Sequence, residues 1–321
     1  MKIEKLTEEN KENYEKIAIS EGAIFNRPSW LKIFNDKIQI YGIYDEGNNL
    51  IGGFQLYKQK KFGLTIYRNP PLTPTMGPFL QIQTKNPVKV MNTWKEILYL
   101  MANIFENLPY SIISISLNKD IVDTQPFIWK KFKVIPGYTY IIDLDKSIED
   151  ISKEMSVKRR SNVNKALRDG LIVEYSDNLE IVKSLVIKTF LRQKKKINQY
   201  YLNKVLFEFA NKDNSFSFIS FQNKKPSAAI FCVYDKNTAY NLLSGYDSKN
   251  SHNGAGALAV WEAIKFAKKL GIKYFDFEGS MVPQIEIFFR GFGGKMVPYY
   301  RINKAKLPLE ILLKFYRREL F

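Results

Sequence analysis

Two carboxylates stand two residues apart in Tyr274-Phe275-Asp276-Phe277-Glu278-Gly279. On an extended strand Tyr274, Asp276 and Glu278 share one face, while Phe275 and Phe277 point to the other. Carboxylates converging at a strand end beside a glycine can hold or deprotonate an amine. Asp276 can equally bond backbone amides in a turn. Close behind, Phe288-Phe289-Arg290-Gly291-Phe292-Gly293-Gly294-Lys295 mixes glycines, phenylalanines and two cations. It reads either as a tight turn presenting Arg290 or Lys295 to a site, or as a glycine corner packed by its own phenylalanines.

Upstream, Lys158-Arg159-Arg160 is followed by Asn162, Asn164, Lys165 and Arg168. A guanidinium is a planar fork matched to phosphate oxygens, and several cations together bind a di- or polyphosphate. A solvated helix face has the same composition. The weaker run Arg192-Gln193-Lys194-Lys195-Lys196 reads as solvated. The loop Ser251-His252-Asn253-Gly254-Ala255-Gly256-Ala257 precedes a helix. Its small residues, Gly254 and Gly256 above all, let backbone N–H groups approach an anion at the positive end of the helix dipole. Tight strand-to-helix packing explains them as well. His252 reads as a loop residue and Cys232 as core.

The elements that must position these residues repeat along the chain. Ile38–Lys58 reads as two strands around Asp45-Glu46-Gly47-Asn48-Asn49. The uncharged Pro-rich stretch 69–78 comes next, then a helix near 88–107 with Trp94, Ile97, Leu98, Met101, Ile104 and Phe105 on one face. A strand over Tyr110–Leu117 closes the set. Later, 215–221 and 228–235 form a second hairpin, Thr238–Ser244 leads into the glycine loop, and a helix near 257–270 stops at Gly271 before strand 272–277. Both halves run hairpin, loop, helix, strand, which predicts tandem copies of one α/β domain. Between them, 143–170 reads as a broken helix, started by Ser147 with Asp150 and ended by Gly170.

Composition narrows the classes. At roughly 100–200 residues per domain, 321 residues suggest two domains. The 23 Phe and 19 Tyr exclude disorder as the main state. One cysteine forbids an intramolecular disulfide and fits a reducing compartment, and one histidine rules out His-rich metal sites, so no metal site is expected. The start, MKIEKLTEEN, carries three glutamates and does not read as a signal peptide, and no uncharged apolar run nears the roughly 20 residues of a membrane span. A cytoplasmic protein is expected. Of the formal net charge of +17, residues 1–145 carry +3 and residues 146–321 carry +14, so the second half should meet an anionic partner.

Taken as a set, the motifs resemble a family. The set is a basic K-R-R-x-N-x-x-K-A helix ending at Gly170, then Tyr240-Asn241-Leu242-Leu243-Ser244-Gly245-Tyr246-Asp247. G-A-x-x-x-x-W-E-A-I-x-x-A follows from Gly256, then F-D-F-E-G from Phe275 and the F-F-R-G-F-G-G corner from Phe288. This resembles the Fem-type branch of the GNAT acyltransferase superfamily, the non-ribosomal peptidyltransferases and their relatives in cell-surface polysaccharide loci. The resemblance is strongest over about 150–300. In the first half, Asn26-Arg27-Pro28-Ser29-Trp30 and the 69–78 loop occupy corresponding places. The resemblance implies an α/β (α+β) fold of two GNAT-like domains, mixed central sheets flanked by helices, divided here at 1–142 and 143–321. It implies transfer of an acyl or aminoacyl group from acyl-CoA or aminoacyl-tRNA, with no tightly bound cofactor, onto an amine of a cell-wall or surface-polysaccharide precursor.

Diphosphate recognition is expected with it. Lys32 and Arg160 match such contacts, and Lys158, Arg159, Lys165, Tyr246, Gly254, Gly256 and Lys295 join them as binding candidates. Where the peptidyltransferases tend to carry a Lys after the first Phe of the corner, this chain has Phe289, which favours a different donor or acceptor. The Gln or Arg usual before the glycines falls on Ser251. In the expected reaction the amine attacks the donor carbonyl directly. Asp276 or Glu278 holds or deprotonates it, and amides near Gly254–Gly256, or Arg290, steady the oxyanion. The alternatives are an acetyl- or acyl-CoA-dependent N-acyltransferase acting on a nucleotide-linked sugar or other small amine, and a non-catalytic RNA-binding protein drawn by the +14 half, tRNA being the expected nucleic acid and DNA not. In Leu309–Phe321, Ile311, Leu312, Phe315 and Leu320 lie among Lys314, Arg317 and Arg318, a pattern for transient contact with a membrane surface or for packing on the domain.

Overall fold

A computed structural model describes residues 1–250, 252–279 and 281–321. Its strands, in chain order, are β1 (Lys2–Lys5), β2 (Ile38–Tyr44), β3 (Leu50–Lys61), β4 (Leu64–Arg68), β5 (Phe79–Leu80), β6 (Ile112–Ser116), β7 (Lys133–Asp143), β8 (Ile172–Tyr175), β9 (Ser215–Gln222), β10 (Lys225–Tyr234), β11 (Thr238–Tyr246), β12 (Tyr274–Asp276) and β13 (Lys295–Ala305). The α-helices are α1 (Lys11–Ser20), α2 (Pro28–Leu31), α3 (Pro87–Asn107), α4 (Gln125–Trp129), α5 (Ile148–Glu154), α6 (Val157–Arg168), α7 (Leu179–Arg192), α8 (Gln199–Asn203), α9 (Ala255–Lys269), α10 (Pro283–Arg290) and α11 (Leu307–Tyr316).

The chain divides into two compact units, Met1–Gly137 with Pro298–Phe321, and Tyr138–Val297. In the first, β1, β2, β3 and β4 pair antiparallel in turn, β4 pairs parallel with β6, and β6 pairs antiparallel with β13. Helix α3 crosses from β4 to β6 and buries Ile97, Leu98, Met101, Ala102 and Phe105 against Tyr41, Phe54, Leu56 and Tyr67. Trp94 and Ile104 pack partly buried at its margin. Each fully buried Ile, Leu, Met or Phe side chain among these stabilises the unit by about 1.5–3 kcal/mol.

The second unit repeats the order. Strands β8, β9, β10 and β11 pair antiparallel, β11 pairs parallel with β12 after the α9 crossover, and β12 pairs antiparallel with β7. The alanine-rich face of α9 lies on Cys232, Ile230, Phe275 and Phe277. The tandem arrangement read from the sequence is therefore present. Both boundaries of this unit differ from the expected 143–321, since it runs from Tyr138 to Val297. Residues 298–321 belong to the first unit, because Arg301–Ala305 pair with Ser116–Ile112, and Asn303 Nδ2 donates to Leu320 O over 2.8 Å.

The helix expected over 143–170 is broken as predicted. Ser147 caps α5 by accepting from Asp150 N–H over 3.1 Å, and Ser156 opens α6 by accepting from Arg159 N–H over 3.2 Å. Gly170 ends α6 at φ +74°, and Gly271 follows α9 at φ +76°, both in the left-handed region that glycine tolerates.

Candidate active site

Strand β12 stops at Asp276, but β11, having paired with it from Thr238 to Tyr240, continues to Tyr246. From Asn241 onward that edge of β11 carries no strand among the described residues. A β-bulge marks the same place. Phe231 opposes Leu243 and Cys232 opposes Asn241, which leaves Leu242 as the extra residue. Residues directly opposed in an antiparallel ladder share a face. Tyr246, Ser244 and Asn241 therefore lie on the side of Ala228, Ile230 and Cys232, the side covered by α9. Asn241 is buried, its Oδ1 accepts from Ser244 Oγ over 2.9 Å, and its Nδ2 has no hydrogen-bond partner among the described residues.

The loop into α9 is pinned from both sides. His252 Nδ1 accepts from Gly254 N–H over 3.0 Å, so the proton lies on Nε2, which stands 2.9 Å from Asp169 Oδ2. The hydrogen bond from His252 holds the Asp169 carboxyl below the usual carboxylate range. His252 is thus a loop residue, as its sequence context indicates. The two candidate glycines differ. A Cβ on Gly254 would lie 2.2 Å from Asn162 O and 2.7 Å from Ala166 Cβ, so this glycine serves the close packing of α6 on α9. Among the described residues a Cβ on Gly256 would meet only Phe288 Cζ, at 3.8 Å. Gly256 is the open position of the helix start. Ser251 lies outside the described residues.

The basic cluster separates into distinct roles. Arg159 is buried, with its guanidinium 4.0 Å from the Phe288 ring centre and 4.8 Å from that of Phe292. Its Nη2 donates to Phe288 O over 3.0 Å, and its Nε has no partner among the described residues. Burial pulls this guanidinium down to about 10, still cationic at neutral pH. Arg160 instead turns back on α5, donating to Lys153 O over 2.6 Å, so it caps a helix C-terminus rather than standing free for phosphate. Lys158 and Lys165 are exposed on α6.

The expected carboxylate site is rearranged. Asp276 is buried, and its Oδ1 accepts from Thr139 Oγ1 over 2.6 Å and from Glu278 N–H over 2.8 Å. This is the turn-bonding arrangement of the two open at the sequence level. Glu278 is half-buried with φ +58°, so the strand alternation that put it beside Asp276 breaks one residue before it. Arg290 donates from Nε to Glu286 Oε1 over 2.7 Å, and the same oxygen accepts from the Tyr140 hydroxyl. Tyr140 packs with Phe275 and Phe277 on the α9 side, whereas Asp276, between those phenylalanines, points to the other. The structure thus does not bring Asp276 and Arg290 together, because the sheet lies between them.

The glycine corner follows its plainer reading. Phe289 and Phe292 bury on Phe277, with ring centres 5.0 and 5.5 Å away. Gly293 and Gly294 take φ +83° and +84°, each against a backbone carbonyl. Lys295 is exposed at the start of β13. Tyr246 lies under the Arg192 guanidinium, 5.2 Å from ring centre to carbon. Lys32 is exposed in the first unit, directly after α2. There the two segments singled out in the first half meet, with Asn26 Nδ2 donating to Gly77 O and Trp30 Nε1 to Thr73 Oγ1, both over 3.0 Å.

Sequence reading missed Thr139, Tyr140, Glu286 and the unpartnered amide of Asn241. Only Glu286 left a signal, four residues before Arg290 on one helix. Among the described residues no group of three or more His, Cys, Asp or Glu side chains is placed to hold a metal ion.

Residues 192–282, which hold β9 to β12 and α9, match the family described as acetyltransferase (GNAT) domain. The crystal structure of FemX superposes with a TM-score of 0.68 at 14% identity, covering 98% of this chain and 100% of that one. This is a Fem-type GNAT fold. The matched GNAT domain marks the chain as an acyltransferase, and it contains the parallel β11–α9–β12 unit just described. The same fold is shared by the C-terminal domain of a putative lysylphosphatidylglycerol synthetase from Agrobacterium fabrum, with a TM-score of 0.58 at 11% identity and 95% of both chains covered. L-PGS from Bacillus licheniformis gives a TM-score of 0.55 at 14% identity, covering 99% of this chain and 98% of that one. A sequence comparison with curated proteins gives no match.

Proposed function

We propose that this protein moves an acyl or aminoacyl group from acyl-CoA or aminoacyl-tRNA onto an amine of a cell-wall or surface-polysaccharide precursor, in the cytoplasm and by direct attack. The observation that carries the reading is the open Gly256 at the start of α9, where β11 outruns β12. The exposed backbone edge of β11 can pair with an extended donor arm. The first turn of α9 offers backbone N–H groups and a positive dipole end to a phosphate or to the oxyanion that forms on the donor carbonyl. Arg159, adjoining Gly256 through Phe288, adds a fixed positive charge. The C–N bond forms as the C–S bond of acyl-CoA, or the C–O bond of aminoacyl-tRNA, breaks. Glu278 takes the one proton that the neutral amine loses and passes it to the departing thiolate or ribose oxygen, so the thiol or the hydroxyl leaves and the carboxylate is restored. Asp276 acts as a positioning residue that fixes the backbone of Glu278.

A second reading, acyl-CoA-dependent acylation of a nucleotide-linked amino sugar, is favoured by Phe289. That side chain is part of the core, so the corner offers no cation at the position where the peptidyltransferases carry Lys. The test incubates the protein with aminoacyl-tRNA or with acetyl-CoA, each with nucleotide-linked peptide and amino-sugar acceptors, and weighs the acceptors by mass spectrometry. A mass gain of one aminoacyl or acyl group, strongly slowed in Gly256→Val at sub-saturating donor, is expected. Salt-dependent RNA binding with no mass gain on any acceptor would instead mark a non-catalytic RNA-binding protein.

A further inference from the structure

Helix α11 is the one helix of ten or more residues that buries none of its side chains among the described residues. Leu309, Glu310 and Leu313 are half-buried and mark the face turned to the first unit. At about 100° per residue, Leu307, Ile311, Phe315 and Leu312 fall on a continuous arc of roughly 140° pointing away from it. Their exposures are 75%, 56%, 82% and 51%. A soluble domain rarely leaves so many large apolar groups contiguous on one helix without a use for them.

The charges around the arc select the occupant. Lys306 precedes the helix, Lys314 lies on it and Arg317 and Arg318 follow it, against Glu310 and Glu319. Glu310 is held by Lys314 over 2.8 Å and Glu319 by Arg317 over 2.7 Å. What remains is a surplus of cations beside an apolar stripe: Lys306 lies over the Tyr110 ring, 5.3 Å from its centre, and Arg318 is in no ion pair among the described residues. That arrangement complements a plane of anionic headgroups over acyl chains. The stripe enters the acyl boundary, and the long cationic side chains reach up to the headgroups. An acidic protein partner would need a matching apolar groove, whereas a bilayer offers both layers to any such helix. No helix among the described residues is long and apolar enough to cross a membrane, so contact would be at the surface.

We propose that α11 docks the protein on anionic membrane surfaces through Leu307, Ile311, Leu312 and Phe315, with Lys314 and Arg318 on the headgroups. This does not depend on the transferase reading, because the helix takes no part in the site of the second unit.

The test is co-sedimentation of the full chain with phosphatidylcholine vesicles, with and without phosphatidylglycerol, at low and high salt. Binding to the anionic vesicles alone is expected, weakening as salt rises. Ile311→Glu/Phe315→Glu should lower the bound fraction about tenfold or more at an unchanged melting temperature, because both side chains are exposed. Lys314→Ala/Arg318→Ala should weaken binding while keeping the apolar stripe. No sedimentation with anionic vesicles, or equal sedimentation of the double-Glu variant, overturns the proposal. So does a dimer in sedimentation velocity that the double-Glu variant dissociates, which would give the face to a second copy of the chain.

Discussion

The Thr139 hydroxyl donates to Asp276 Oδ1 over 2.6 Å inside the sheet, on the face away from α9. The same oxygen receives the Glu278 N–H, so one buried carboxylate fixes both a neighbouring strand and the turn that carries the proposed base. Asp276→Ala should therefore cost stability as well as turnover. Leaving the hydroxyl and the amide unpaired costs about 2–4 kcal/mol, and the melting temperature should fall accordingly. Thr139→Ala should move stability the same way by about 1 kcal/mol. Full stability with abolished turnover in Asp276→Ala would return Asp276 to the chemistry.

The two glycines of the α9 start predict opposite phenotypes. Gly254→Ala places a methyl 2.2 Å from the Asn162 carbonyl and should destabilise by about 2 kcal/mol or more, whatever the substrate. Gly256→Ala has room at 3.8 Å from Phe288 and should stabilise the helix by up to about 1 kcal/mol. The larger Gly256→Val should raise KM for the donor by about tenfold or more with little change in melting temperature. Thermal denaturation beside donor-titrated kinetics separates the pair.

Arg159 offers a test of charge apart from packing. Arg159→Met keeps an unbranched side chain between Phe288 and Phe292 and removes the cation. It should weaken an anionic donor or acceptor about tenfold, the scale of one charge-assisted contact. Arg159→Lys should recover part of that loss, because the charge returns without the planar fork that stacks on the rings. Equal affinities in all three proteins, measured by isothermal titration, would make Arg159 a packing residue only.

Acid should loosen the α10 anchor. Glu286 is held below its ordinary carboxylate range, first by the Tyr140 hydroxyl and further by Arg290, with partial burial opposing them. A depressed folded-state pKa means that the stabilisation is fully present above the unfolded value near 4.5 and is lost as pH falls through the folded value. The melting temperature should be flat near neutrality with respect to this group and drop below about pH 4.5. Glu286→Gln should show a shallower acid drop than the parent. Identical acid profiles would mean that the contact contributes nothing.

Much of this was legible in the sequence because it is local. The periodicity of Ile97, Leu98, Met101 and Phe105, the caps at Ser147, Gly170 and Gly271, and the repeated hairpin-helix-strand order all depend on neighbours within a few residues. What was not legible depends on register between distant segments. Tyr140 and Glu286 are 146 residues apart, and no spacing rule links them. The faces of Asp276 and Arg290 follow from which β7 residues oppose β12. Composition marked the Lys158–Arg160 run as one cationic patch. Burial against Phe288 and Phe292 made Arg159 different from Arg160, which the α5 carbonyls take up.

The place of β13 has a consequence for how the protein is made. Synthesis runs from the N- to the C-terminal side, so β1 to β6 leave the ribosome long before Arg301–Ala305, the segment that hydrogen-bonds to Ile112–Ser116. The second unit, continuous from Tyr138 to Val297, has all its strands while the first still lacks one. The order of completion is therefore the reverse of the order of translation. Throughout that interval the nascent chain carries a raw β6 edge, open to pairing with other chains.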